Sequence, residues 1–345
     1  MPDQILDCVI IGGGPAGIAI AETLTRAGIS LRVFEKGPIG HHIAQYPTFM
    51  RFFSTNENLE IADFPLINTE DKPTRQDYLI YLNKFAKYHK LPISTYTEVT
   101  GINRRNDGIF EIALAHSNAR PHDLMMCPPP DPTAPVLART VVIAVGAWDS
   151  PRRLGVPGDD LPKVHYRFFE SHEYVGKKVL VVGGRNSAVD ISLTLWRAGA
   201  EVSLSYRRRE FAGKGLKYWL KPDIENRLKN NEIAGYLGSN VERIDRETVT
   251  LRIDDGTTVT IANDFVIPCL GYDPPTQFLK NLGISVEPES NKPVHNPANL
   301  ESNIPGVFIA GVITQGNISG NVFIENSRHH GELILPRLRE ILKIS

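Results

Sequence analysis

The chain has 345 residues, enough for two domains that each bury a core of their own. Lysine and arginine number 38 against 39 aspartate and glutamate, so no global field draws it to nucleic acid or to an anionic membrane. With no leader pattern, no apolar run near the ~20 residues of a membrane span and no CxxC pair among Cys8, Cys127 and Cys269, a soluble chain in a reducing cytoplasm is expected.

Residues 8–11 form a β-branched apolar run, followed by GGGPAG and a helical segment that closes at Gly28. Gly12, Gly14 and Gly17, with Pro15 and Ala16 between the last two, satisfy GxGxxG. The first glycine makes the tight turn, the second lets backbone approach a pyrophosphate, and the third lets the helix lie close to the strand. Such a motif is weak alone. Here a strand precedes it, a helix follows it, and Glu35 ends the next strand 23 residues after Gly12. A carboxylate there accepts hydrogen bonds from an adenosine ribose and repels a phosphate on it, so the turn reads as a site for a dinucleotide without a ribose phosphate. A hairpin turning at Asn106-Asp107-Gly108 comes next. Residues 116–140 are proline-rich and read as a surface excursion rather than a strand, and a further apolar strand ends at Gly146.

The second half repeats the plan. Residues 179–182 lead into GGRNSA, a helical segment closing at Gly199, and EVSLSYRRR. Even the helix ends agree, as Arg26-Ala27-Gly28 and Arg197-Ala198-Gly199. Gly183 opens this turn with Gly184 behind it, Arg185 takes the middle-glycine slot, and Ala188 takes the last. Asn186 and Ser187 either cap the helix or donate to phosphate. Arg207, 24 residues after Gly183 and followed by Arg208 and Arg209, stands where a ribose-reading carboxylate would fall. A guanidinium there suits an extra phosphate on the ribose, which favours NADPH over NADH. A hairpin at Asp254-Asp255-Gly256 and a strand ending at Gly271 complete the unit. Residues 304–312 read as a buried parallel strand, and 323–342 as one helix with Pro336 as a kink.

The expected fold class is α/β, with two nested Rossmann-like dinucleotide-binding domains, each three-layered with a parallel sheet and a β-meander crossover. Residues 1–155 and 275–345 are assigned to FAD, and 156–274 to NAD(P)H. Hydride would pass from nicotinamide to the flavin. No metal site is read.

Several stretches, taken in order, resemble the bacillithiol disulfide reductase (bacilliredoxin reductase) family, a single-FAD branch of the thioredoxin-reductase-like flavoproteins. They are GGGPAG, EKGPIGHHIAQYPTFMRFFSTNENLEIADFP, VPGDDLPKVHYRFF, GGRNSAVD and FIAGVITQGNISGNVFIENSRHHG. The resemblance implies NADPH-dependent reduction of a small-molecule disulfide or a small redox protein by a homo-oligomer. It implies FAD contacts from Gly12, Gly14, Glu35, Lys36, Gln45, Thr48, Gly311 and Val312; Tyr46, expected to pack beside the ring, and Gly146, at the end of its strand, are added to that site. NADPH contacts are implied for Gly183, Arg185, Asn186, Ser187 and Arg207. The family's basic residue in the slot of Arg185 and its valine at the position of Val312 are both kept. Its turn reads GGGPCG, however, and this chain has Ala16 in place of that cysteine, which puts a thiol relay in doubt.

Two other flavoenzyme readings stay open. One is an NADPH–ferredoxin reductase that would use Arg207–Arg209, Lys214, Lys217 and Lys221 as a basic face for an acidic partner. The other is a flavin monooxygenase, although Asp159 and Leu161 stand where that class places the phenylalanine and glycine of FxGxxxH, before His165. A flavin-binding sensor is the non-enzymatic alternative. His329 or His330, at the start of the last helix, is a possible proton source.

Overall fold

The computed structural model describes residues 5–116, 131, 134–211, 216–318 and 320–344. The chain divides into two compact units, Met1–Ser150 with Tyr272–Ser345, and Pro151–Gly271. The crossings fall five residues before the expected boundary at 155 and three before that at 274.

In the first unit the strands Ile93–Ser94, Leu31–Phe34, Leu6–Ile11 and Val136–Ile143 run parallel in that order. Val136–Ile143 then divides its free edge. Its first three residues pair antiparallel with Phe110–His116, the inner strand of the hairpin completed by Thr97–Arg104, and Val141–Ile143 pair parallel with Val307–Ile309. Residues 136–140 therefore belong to a central strand, not to the proline-rich excursion; residues 117–130, with Cys127, lie outside the described residues. The error had a physical source. Four prolines cannot join a ladder, but they say nothing about the β-branched run that follows them.

Alternation along Leu6–Ile11 sorts the core. Cys8 and Ile10 pack on the face covered by helices Pro15–Arg26, Arg75–Tyr88 and His330–Leu342, while Val9 and Ile11 face Phe110, Ile112, Leu279 and Ile309. Both faces are buried, as a parallel sheet requires. Helix Arg75–Tyr88 starts at a capping box, with Thr74 Oγ1 accepting from the Asp77 N–H at 3.2 Å and the Asp77 carboxylate accepting from the Thr74 N–H at 2.9 Å. The expected single C-terminal helix is two, Ile324–Ser327 and His330–Leu342, and Pro336 lies inside the second.

The second unit has a parallel sheet ordered Ala234–Leu237, Glu201–Tyr206, Lys178–Val182 and Phe265–Pro268. Helices Asn186–Ala198 and Leu220–Lys229 cover one face through Val189, Leu193, Leu195 and Ile224. The meander Ser239–Ile244, Thr248–Ile253, Thr258–Ala262 covers the other through Val241, Val249 and Leu251. The three layers follow from strands that are apolar on both faces meeting one helical layer and one half-polar meander.

Candidate functional site

The two glycine turns are built alike. In the first unit a Cβ on Gly12 would lie 2.5 Å from the carbonyl oxygen of Ala144, one residue past strand Val136–Ile143. In the second, a Cβ on Gly183 would lie 2.8 Å from the carbonyl oxygen of Cys269, one residue past strand Phe265–Pro268. Both glycines have positive φ, +110° and +141°, so backbone conformation and close approach each demand glycine.

The remaining slots differ. A Cβ on Gly17 would sit 2.0 Å from the Gly12 carbonyl oxygen, so helix Pro15–Arg26 lies hard against the turn. Ala188 fills the matching slot with its own methyl, buried 3.1 Å from the Cβ position of Gly183. The middle slot separates two demands. A Cβ on Gly14 would meet nothing within 4 Å, so the protein itself does not require glycine there. The same slot in the second unit carries Arg185, exposed and standing as the N-cap of helix Asn186–Ala198. Gly184 is needed for another reason: its Cβ would lie 2.4 Å from the ring of Tyr206.

Neither helix is capped by a side chain, and neither has an acidic residue in its first turn. Pro15 stands at the start of the first helix. Asn186 does not cap, contrary to one expectation; its Oδ1 accepts the backbone N–H of Lys217 at 2.8 Å. Ser187 makes no cap bond either. Both turns thus leave helix N–H groups for an anion, with a space beside Gly14 that a side chain would close. These features fit a dinucleotide pyrophosphate.

Around the first turn the expected residues converge. Glu35 is buried, with Oε2 accepting the Gly13 N–H at 2.7 Å and Oε1 the Gly37 N–H at 2.9 Å. Burial raises its carboxyl above the usual carboxylate range, against the pull of the Gly37 and Gly13 N–H groups. Each oxygen keeps a second acceptor direction, as a ribose diol needs. Lys36 donates to Asp149 at 2.6 Å, and His42 Nε2 lies 3.0 Å from the other oxygen of Asp149. Burial alone would raise the Asp149 carboxyl; hydrogen bonds from His42 and Lys36 outweigh it and hold that group well below its ordinary value.

Gly146, at φ +69°, carries the loop past His42 Nδ1, 3.0 Å from where its Cβ would be. Gln45 Nε2 lies 2.6 Å from His41 Nε2. Tyr46 packs edge-on to Trp148 at 4.6 Å, and Thr48 is exposed. Gly311 and Val312 begin the 3-10 turn after strand Val307–Ile309, and a Cβ on Gly311 would lie 3.2 Å from the Ala16 methyl.

His330 corrects another expectation. It is buried, and burial drives its imidazole down to about 4, so it is neutral near pH 7 and is not an imidazolium acid there. His329 is exposed, beside Glu332. Cys8 is fully buried, and burial pushes its thiol up to about 12; the Cys269 thiol is likewise pushed up to about 12. Neither is a thiolate at neutral pH. In the second unit Arg207 and Arg208 are exposed just past strand Glu201–Tyr206, Arg209 pairs with Asp254 at 3.6 Å, and Lys214 lies outside the described residues. Among the described residues no cluster is placed to hold a metal ion, and no helix is long and apolar enough to cross a membrane.

Residues 9–127 and 132–311 match the family described as pyridine nucleotide-disulphide oxidoreductase. The bacilliredoxin reductase Bdr of Bacillus subtilis (strain 168) is 38% identical over 94% of this chain and 94% of its own. The chain belongs to the pyridine nucleotide-disulphide oxidoreductase family, in its bacilliredoxin reductase group. A solved structure of bacillithiol disulfide reductase Bdr (YpdA) from Bacillus cereus superposes with a TM-score of 0.89 at 34% identity, covering 98% of this chain and 99% of that one. A ferredoxin–NADP reductase of Ignicoccus hospitalis is 23% identical over 89% of this chain and 90% of its own. As a member of this oxidoreductase family the chain is a flavoprotein that uses a pyridine nucleotide.

Sequence reasoning missed three participants. Trp148, Asp149 and His42 carry no motif of their own. They reach the site because the loop after a central strand and the short helix His41–Ala44 converge in space, which spacing along the chain does not encode.

Proposed function

We propose that the protein is a cytoplasmic, homo-oligomeric NADPH-dependent flavoenzyme that binds FAD in the first unit, NADPH in the second, and reduces a low-molecular-weight disulfide of the bacillithiol disulfide class. The observation that carries this reading is the contrast between the turns: buried Glu35 bonded into the first, exposed Arg207 beside the second. A buried carboxylate reads unphosphorylated ribose, and an exposed guanidinium favours ribose phosphate. The acceptor class rests on the 38% identity to a protein named bacilliredoxin reductase.

In this reading the bound flavin supplies a two-electron relay between nicotinamide and acceptor. The chain's own work is binding and orientation. Gly14 and the uncapped helix Pro15–Arg26 hold the FAD pyrophosphate, and Glu35 holds its ribose. Arg185 reaches the nucleotide phosphates from the helix start, and Arg207 reads the extra phosphate. One hydride equivalent and one proton then convert the disulfide to two thiols, with NADPH oxidised to NADP+. The thiol relay of the resembling family is not available at position 16, because Ala16 has no sulfur, and the Cys8 and Cys269 thiols stay protonated.

The absence of a thiol at position 16 also favours a second reading, an NADPH–ferredoxin reductase. Anaerobic reduction with NADPH followed by stopped-flow reoxidation separates them. Rapid reoxidation by bacillithiol disulfide supports the proposal. Failure of every disulfide alongside success with ferredoxin replaces it by the second reading.

A further inference from the structure

We infer that the indole N–H of Trp148 donates a hydrogen bond to the bound flavin dinucleotide, an inference that rests on the FAD reading of the first unit. Trp148 lies in the loop that leaves strand Val136–Ile143 at the carboxyl end of the parallel sheet, where open α/β sheets bind ligands. Four residues earlier, the carbonyl of Ala144 is the group that crowds Gly12 of the first turn. The next residue, Asp149, is fixed by Lys36 and His42. Trp148 is therefore held beside the turn from both directions along the chain.

Its ring is fixed as well. It stacks on Tyr272 with centroids 4.0 Å apart at 22°, and meets Tyr46 at 4.6 Å and 62°. Between them the Nε1 atom is buried and, among the described residues, makes no hydrogen bond. An indole nitrogen is a donor only, so the missing partner is an acceptor. Stranding a buried donor is destabilising, and such groups are seldom left without a partner. That partner must also lie against an aromatic wall. A flat heteroaromatic ring edged with carbonyl oxygens and ring nitrogens meets both conditions, and the flavin of FAD is such a ring. The neighbouring pair His41 and His42 places each Nε2 against a protein partner, Gln45 and Asp149, whereas the Trp148 indole nitrogen has none among the described residues.

The test follows the three indole N–H resonances of 15N-labelled, deflavinated protein, from Trp148, Trp196 and Trp219, as FAD is added. The expected result is that the resonance missing in Trp148→Phe moves downfield and loses exchange with solvent. Trp148→Phe should also bind FAD on the order of tenfold more weakly. If that variant does not fold, Trp196→Phe and Trp219→Phe assign the remaining resonance by elimination. A Trp148 resonance that stays put while the protein turns yellow overturns the inference and leaves FAD binding intact. Weaker binding by Trp148→Phe with an unmoved wild-type resonance overturns it too, since the ring would then only pack. Absence of any FAD binding to the wild-type protein overturns both readings.

Discussion

His330 Nδ1 accepts the backbone N–H of Gly311 at 3.1 Å, tying the first turn of the last helix to the end of strand Val307–Ile309. The bond requires the neutral ring, with its proton on Nε2. Burial, aided by His295 and His329, keeps the folded-state value at about 4, below the 6.5 of a free histidine. Between those values the unfolded chain binds more protons than the folded one. Stability from this group is therefore complete above about pH 6.5 and falls as pH drops toward 4, by roughly 3 kcal/mol in all. Urea midpoints measured between pH 4.5 and 7.5 should fall with acid in the wild type. His330→Asn keeps an acceptor but no titrating ring, and its slope should be smaller. Equal slopes in the two proteins would show that His330 is not the titrating group.

The glycines of the first turn make opposite predictions. Gly17→Ala puts a methyl 2.0 Å from a backbone oxygen, so helix and strand must separate, at a cost of about 1–3 kcal/mol. Gly14→Ala puts it into open space at an ordinary φ of −81°, so Tm should stay within a few degrees. That methyl would occupy the space beside the uncapped helix, and FAD should bind at least ~10-fold more weakly. Isothermal titration of the deflavinated variants, with thermal melts alongside, checks both. A Gly14→Ala protein that binds FAD normally would remove the pyrophosphate from that position.

Most of the plan was legible because it repeats. Two apolar runs with glycines at the same offsets, and the Asp-Gly turns at Asp107-Gly108 and Asp255-Gly256, fix strands and hairpins through local chemistry. The capping box at Thr74 and Asp77 was equally readable and announces helix Arg75–Tyr88, which the motif reading passed over. What was not legible depends on distant partners. Asn186 looks like a cap until Lys217 claims its oxygen, and His330 looks like a proton source until burial neutralises it. The ion-paired loop of Lys36, His42 and Asp149 joins residues 113 apart in the chain.

The thiols provide a further test. A relay through Cys8 or Cys269 would need a thiolate, and burial holds both near 12. Iodoacetamide at pH 8 should leave NADPH-dependent reduction of the acceptor within about twofold of the untreated rate. Cys127→Ser, treated the same way, removes the one thiol outside the described residues. Inactivation that persists in that variant would return a cysteine to the reaction.

The arginine run after strand Glu201–Tyr206 separates a specific phosphate contact from a general positive field. Arg209 is already paired with Asp254, whereas Arg207 and Arg208 are exposed and form no ion pair among the described residues. The Arg208 carbonyl accepts the Gly238 N–H at 3.0 Å, which fixes the backbone beside Arg207. Loss of one charge-assisted phosphate bond is worth ~1.5–3 kcal/mol, so Arg207→Ala should raise KM for NADPH on the order of tenfold or more. KM for NADH, which lacks the phosphate, should move by less than about twofold. Arg209→Ala should change neither by more than that, because its charge is already countered. A general field predicts instead that the three variants weaken NADPH alike and that added salt erases the difference. Steady-state kinetics with both nucleotides, at two ionic strengths, distinguishes the outcomes, and equal losses for NADH and NADPH in Arg207→Ala would withdraw the phosphate-reading role.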